Sequence, residues 1–178
     1  MAGLFDKFPY LTSNPITLRQ ISENDLDAIY AIYSNPEHFR HSPDVSSRHK
    51  ETILKRIDHF NRDFQKKKRL FLGLEKDREI VGILECFDYK KRLSQVTIGY
   101  RIHHTFWGQG LATKGLALLT DYLHNDCQIK TIKAYVMEEN IASKTVLEKN
   151  NFYVIGREHQ NWKGHGEVAL LVFEKHYQ

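Results

Sequence analysis

Apolar residues recur along this chain with two different periods, and the changes of period mark its elements. Residues 16–21, ITLRQI, alternate as a strand does. Ser22-Glu23-Asn24-Asp25 then offers capping side chains, and Leu26, Ile29, Tyr30 and Tyr33 fall on one face of a helix that Asn35-Pro36 stops. A loop through Pro43 leads to Ser46 or Ser47 as the cap of a long polar helix, with Ile53, Leu54, Ile57, Phe60 and Phe64 facing inward. Three strand-like runs follow, 69–75, 79–89 and 94–102, and the short turns between them favour an antiparallel meander. Residues 106–119, FWGQGLATKGLALL, read as a glycine turn opening a helix with Leu111, Leu118, Leu119, Tyr122 and Leu123 on one face. A strand at 131–137, a short helix from about residue 141 and two strands around 152–157 and 167–174 complete the chain. This order predicts one α/β domain over residues 1–178, with a mixed, mostly antiparallel central sheet of about seven strands and helices on both faces.

Composition narrows the function classes. A chain of 178 residues buries roughly two thirds of the surface that its unfolded form exposes. Its 41% hydrophobic and 27% charged residues suit a soluble globular protein. The net charge is +4, and the basic residues are scattered apart from Lys66-Lys67-Lys68-Arg69. That run reads as a solvated helix end, so no nucleic-acid partner is expected. A mild positive excess also suits an anionic cofactor. Two cysteines make no disulfide framework and fit a reducing compartment. MAGLFDKFPY lacks a signal pattern and no stretch approaches 18 apolar residues, so the expectation is a cytoplasmic protein without membrane contact. Ten histidines raise the question of a metal, yet His38-x-x-His41 and His165-x-Glu167 bring no third ligand at a recognisable spacing, and none is expected.

The glycine turn carries the first chemical hint. The first amides of a helix lack internal partners and sit at the positive end of its dipole, which favours a phosphate there. A dinucleotide fingerprint would need glycine at 113, where Thr113 stands, and a P-loop would need Lys-Ser or Lys-Thr where Gly115-Leu116 stands. On the glycines alone, a plain tight turn and a phosphate cradle are equally good readings.

The wider pattern resembles the GCN5-related N-acetyltransferases. Trp107-Gly108-Gln109-Gly110-Leu111-Ala112 is similar to their pyrophosphate loop, with Trp at the first position in place of Arg or Gln. Trp-Gly-x-Gly followed by Ala-Thr resembles the branch of bacterial ribosomal-protein N-terminal acetyltransferases. Ile98-Gly99-Tyr100-Arg101-Ile102 is similar to that branch's strand before the loop, and Asn140-Ile141-Ala142-Ser143-Lys144 to its Asn-x-x-Ser helix. Leu147 to Phe152 resembles the helix end and next strand, and His165-Gly166-Glu167-Val168 a late strand that carries an acid. The likeness spans roughly residues 14–175.

What the resemblance implies is specific. The fold is a sheet splayed in the middle, with the pantetheine arm of acetyl-CoA in the gap. Backbone amides from Gln109 through Thr113 (Gly110, Leu111 and Ala112 between them) hold the pyrophosphate, and Gly108 and Gly110 let the main chain approach it. Asn140 holds the pantetheine arm, and the Ser143 hydroxyl helps protonate the leaving thiolate. Backbone N–H groups near a strand bulge at 102–104, at Ile102 and His104, face the developing oxyanion. Lys114, Lys144 and Lys149 are available to screen phosphate, and Asn151, where the family has Gly, is expected in a left-handed conformation.

The base is the open point. Family members carry Glu where Thr97 stands. Glu85 on the neighbouring strand is a candidate if it faces the cleft, which period-2 alternation leaves undecided. His103 and His104 are others, expected on opposite faces, and Glu167 could orient the amine. The acceptor side is expected mainly from residues 35–68, with His38, His41 and Asp44 among them. The resemblance implies direct acetyl transfer to a primary amine, the N-terminal α-amine of a protein such as a ribosomal protein. A polyamine or amino-sugar acceptor and a non-catalytic acyl-CoA sensor are the alternatives. A monomer and a homodimer both fit.

Overall fold

The computed structural model describes residues 3–178. The elements, in chain order, are β1 (Leu11–Ser13), β2 (Ile16–Arg19), α1 (Leu26–Tyr33), α2 (Lys50–Gln65), β3 (Leu70–Lys76) and β4 (Glu79–Lys90). Then come β5 (Gln95–Ile102), α3 (Leu111–Asn125), β6 (Thr131–Met137), α4 (Ile141–Lys149), β7 (Tyr153–Trp162) and β8 (Gly166–His176). The sheet therefore has eight strands, ordered β1-β2-β3-β4-β5-β6-β8-β7, one more than the periodicity suggests. The additional strand, β1, is three residues long and too short to display an alternation.

Helix entry follows the capping chemistry in one place and departs from it in another. Ser22 accepts the Asn24 amide at 3.3 Å while the Asp25 carboxylate accepts the Ser22 amide at 2.9 Å, a capping box that opens a single 3-10 turn before α1. The long helix α2 starts at Lys50 behind His49, so neither Ser46 nor Ser47 is its cap. Ser47 instead donates its amide to the Tyr33 carbonyl at 2.8 Å and so ties the loop to α1.

Alternation along the strands sends side chains into two cores. Ile29, Ile32, Ile53, Ile57 and Phe60 of α1 and α2 bury against Phe71 and Ile83 of the sheet. Leu111, Leu116, Leu119 and Leu123 of α3 pack against Leu72, Leu84, Val96 and Ile98. Each fully buried side chain of this kind stabilises the fold by roughly 1.5–3 kcal/mol relative to exposure.

All neighbouring strands are antiparallel except β5 and β6. That parallel pair holds only Gln95↔Thr131, Val96↔Ile132 and Thr97↔Lys133. Beyond it the two strands run on to Ile102 and Met137 without pairing, leaving a wedge with unpaired backbone on both sides. Among the described residues, no helix is long and apolar enough to cross a membrane.

Candidate active site

At the mouth of the wedge lies the glycine turn. Gly108 and Gly110 have φ of 76° and 72°, in the left-handed region that a β-carbon disfavours. A β-carbon on either would meet no atom within 4 Å, so the space above the turn is left clear by the protein itself. Gly110 is the N-cap of α3 and contributes no side chain to its first amides, those of Leu111, Ala112 and Thr113. The turn is anchored from behind: the Trp107 indole donates to the Ile102 carbonyl at 2.7 Å, which gives the aromatic at the loop's first position a structural role. From the far side, buried Asn150 donates to the Thr113 carbonyl at 3.2 Å and to that of Val146 at 3.0 Å, clamping α4 to the first turn of α3. Asn151 has φ of 63°, as its place after the helix end predicts.

The polar groups around the turn divide. The Gln109 side chain accepts from Lys76 at 3.1 Å, and the Lys114 ammonium donates to the Asn14 carbonyl at 2.5 Å. Lys114 is therefore tied to the turn between β1 and β2. Of the amides proposed to face an oxyanion at 102–104, those of His103 and His104 are committed elsewhere. The His103 amide donates to the Val81 carbonyl and the His104 amide to His38 Nε2, both at 2.9 Å. No bulge lies there: the β4–β5 register is unbroken from Gly82↔Ile102 to Phe87↔Thr97, and its irregularity falls beyond Phe87.

Across the wedge, α4 meets β5. Asn140 is the N-cap of α4, its side-chain oxygen accepting the Ser143 amide at 3.2 Å. The Ser143 hydroxyl lies 2.6 Å from the Tyr100 hydroxyl, which is also 3.2 Å from the Ser143 carbonyl. Burial pushes the Tyr100 phenol up to about 12, with the Ser143 hydrogen bond opposing, so it keeps its proton at neutral pH. Tyr100 is part of the Ile-Gly-Tyr-Arg-Ile motif, yet the sequence reading gives it no role. Its partner is 43 residues away and only the fold joins them.

A cavity of about 450 Å³, which Tyr100 also lines, opens between α2, the loop after α1, and strands β3 to β5. Glu85 faces into it, which settles the orientation that alternation leaves open. Glu85 pairs with Gly99, and a β-carbon there would stand 3.0 Å from the Glu85 carboxylate, so the bare glycine makes room for the acid. Although 30% of its side-chain surface meets the cavity, burial raises the Glu85 pKa, with Arg69 and Arg101 pulling against it. Arg69, read from the sequence as part of a solvated basic run, lines this cavity 3.8 Å from Glu85. Thr97 is buried beside Phe87's register position, and its hydroxyl has no hydrogen-bond partner among the described residues.

Two other candidates move. The rings of His103 and His104 stack at 4.5 Å instead of facing opposite ways, because β5 ends at Ile102, His103 caps the following 3-10 turn and His104 opens it. They sit beside His38, whose Nδ1 is 2.7 Å from the Ile32 carbonyl and whose Nε2 is 3.1 Å from His104 Nδ1. The three ring-nitrogen ligand atoms lie within 4.8 Å of one another. The relevant partners of His38 are thus distant in sequence, and His41 is not in the group. Glu167 is exposed and pairs with Asn161 near the end of the β7–β8 hairpin, past the last β6–β8 pair at Met137↔Leu170. It lies outside the cavity lining.

Comparison with known proteins agrees with this geometry. The family model described as the acetyltransferase (GNAT) domain matches residues 16–153. The chain is 28% identical over 147 residues to the uncharacterized N-acetyltransferase YoaA of Bacillus subtilis, covering 82% of this chain and 83% of that one. Among solved structures, Mycobacterium smegmatis RimJ in complex with CoA-disulfide superposes with a TM-score of 0.84 at 22% identity, over 95% of this chain and 86% of that one. RimL, a ribosomal L7/L12 alpha-N-protein acetyltransferase in complex with coenzyme A, superposes with a TM-score of 0.85 at 18% identity, over 94% and 98% of the two chains. With a glycine turn at a helix mouth, a parted pair of parallel strands and a family match across most of its length, this chain belongs to the GNAT acetyltransferases.

Proposed function

We propose that this N-acetyltransferase uses acetyl-CoA and acetylates the N-terminal α-amine of a protein or peptide by direct transfer in a ternary complex. The observation that carries the reading is one cavity lined by both Glu85 and Tyr100, whose hydroxyl lies 2.6 Å from that of Ser143 across the wedge. The residues present suit the cofactor. The clear space over Gly108 and Gly110 admits a diphosphate to the amides of 109–113, and the unpaired edges beyond Thr97 and Lys133 admit an extended amide arm. The Asn140 side chain, already capping α4, stands at the start of that helix to hold the arm.

When bound, acetyl-CoA supplies the thioester carbonyl that the amine attacks. Glu85, whose raised pKa makes it a better proton acceptor than an ordinary carboxylate, takes the proton released by the amine, directly or through one water in the cavity. Tyr100 Oη, hydrogen-bonded to Ser143 Oγ, would supply through it the proton that a departing thiolate needs. Unpaired amides on the β5 edge beyond Thr97 would be the donors left for the carbonyl oxygen, since those of His103 and His104 are engaged.

An α-amine has a pKa near 7.8 and a lysine side chain near 10.4, so roughly 400 times more of the former is neutral at pH 7. A single carboxylate base with two arginines beside it is a modest base, which favours the α-amine. The likeness in fold to RimL and RimJ points the same way. The test is multiple-turnover thiol release from acetyl-CoA with N-terminal peptides and matched internal-lysine peptides. Preferential turnover of the former is expected. A lysine preference would overturn the acceptor, and coenzyme A binding without any turnover would leave a binding module.

A further inference from the structure

The charges lining the acceptor cavity do not cancel. It holds three arginines, Arg56, Arg69 and Arg101, against two carboxylates, Asp44 and Glu85. Arg56 and Asp44 are paired at 2.7 Å and neutralise each other. Arg101 is fixed by neutral partners: its Nε donates to the His38 carbonyl at 3.0 Å, its Nη2 donates to Ser42 Oγ at 2.7 Å, and its guanidinium lies 4.0 Å over the Phe39 ring. Arg69 stands 3.8 Å from Glu85, beyond hydrogen-bonding distance, with half its side-chain surface exposed. One carboxylate is therefore left to face two arginines. A cavity with one positive group held in place, a second beside it, and a single free acid that is needed by the amine is complementary to a ligand with its own negative charge.

Resting on the amine-acceptor reading above, we infer that the acceptor is a primary amine carrying a carboxylate close by. Its amine meets Glu85 and its carboxylate meets Arg69 and Arg101. An N-terminal peptide with an acidic residue at its second position presents this pair of groups, and so does a free acidic amino acid. A polyamine presents the opposite charge and is repelled.

The test compares kcat/KM for acetyl transfer to peptides that begin Ala-Glu, Ala-Gln and Ala-Lys and are otherwise identical, with free glutamate as a separate arm. Expected is a roughly tenfold preference for Ala-Glu over Ala-Gln, the order of one partly exposed charge-assisted contact, and a further decline for Ala-Lys. The preference shrinks as salt is raised from low to about 0.5 M. In Arg69→Gln the Ala-Glu to Ala-Gln ratio falls towards one. Turnover of free glutamate above that of any peptide would assign the carboxylate to a small molecule, and turnover of the peptide alone would assign it to a chain. Equal rates for Ala-Glu and Ala-Gln, a preference for Ala-Lys, or an undiminished ratio in Arg69→Gln would each overturn the inference while amine acetylation stood. Failure of every amine would instead remove the reading on which it rests.

Discussion

Glu85 is a carboxylic acid in surroundings that resist its ionisation, which suits the base role proposed for it and is costly to the fold. Its pKa is raised in the folded state, so the folded protein holds the proton more tightly than the unfolded chain does. The sign follows by linkage: this residue's contribution is fully present below the unfolded value of about 4.3 and is lost as pH rises through the folded value. Glu85→Gln keeps the shape and removes the charge. It is expected to abolish most acetyl transfer while raising the melting temperature relative to the parent at pH 8, with the two curves converging near pH 4. Thermal unfolding across that range measures it; a variant less stable than the parent at pH 8 would mean that the Arg69 and Arg101 contacts outweigh burial. Nothing local in the sequence orients this side chain. Alternation from Ile83 and Phe87 names two faces of β4, and only pairing with Gly99 and the cover supplied by α2 decide which face is the cavity.

Among the elements, the turn of residues 107–110 and the helix it feeds were the most legible. The glycines, the apolar stripe of α3, the Asn-x-x-Ser start of α4 and the left-handed Asn151 are short-range features, and short-range rules place them. Some departures are local, as at the start of α2 and the end of β5, but those that shape the site involve partners far along the chain. The wedge between β5 and β6 cannot be read from either strand, because each looks like an ordinary strand over its whole length. The clamp from Asn150 to Thr113 spans 37 residues, and the clasp of His38 with His104 spans 66. Gly110→Val tests the turn directly. A β-branched residue at φ of 72° costs about 1–2 kcal/mol, which lowers the melting temperature of a domain this size by roughly 2–8 °C. Its γ-carbons enter the space proposed for the diphosphate, so coenzyme A affinity is expected to fall at least tenfold. Calorimetric titration measures the affinity, and unchanged binding in a folded variant would contradict the cradle.

At the scale of the whole molecule, the two cores set the direction of the chemistry. The face packed by α1 and α2 carries the cavity with Glu85, while the face packed by α3 and α4 carries the glycine turn and Ser143. In the proposed reaction the two substrates meet at β5, where Tyr100 both lines the cavity and reaches Ser143. The order of elements announced this architecture, whereas the inferred charge of the acceptor depends on two arginines from different elements, Arg69 and Arg101, converging in space. The most direct test of the account follows the backbone amide resonances while coenzyme A is titrated into the protein. The account predicts that the amides of residues 109–113 shift furthest and saturate with the binding curve, with the β5 edge beyond Thr97 next. Saturable binding that leaves residues 109–113 unmoved would contradict it.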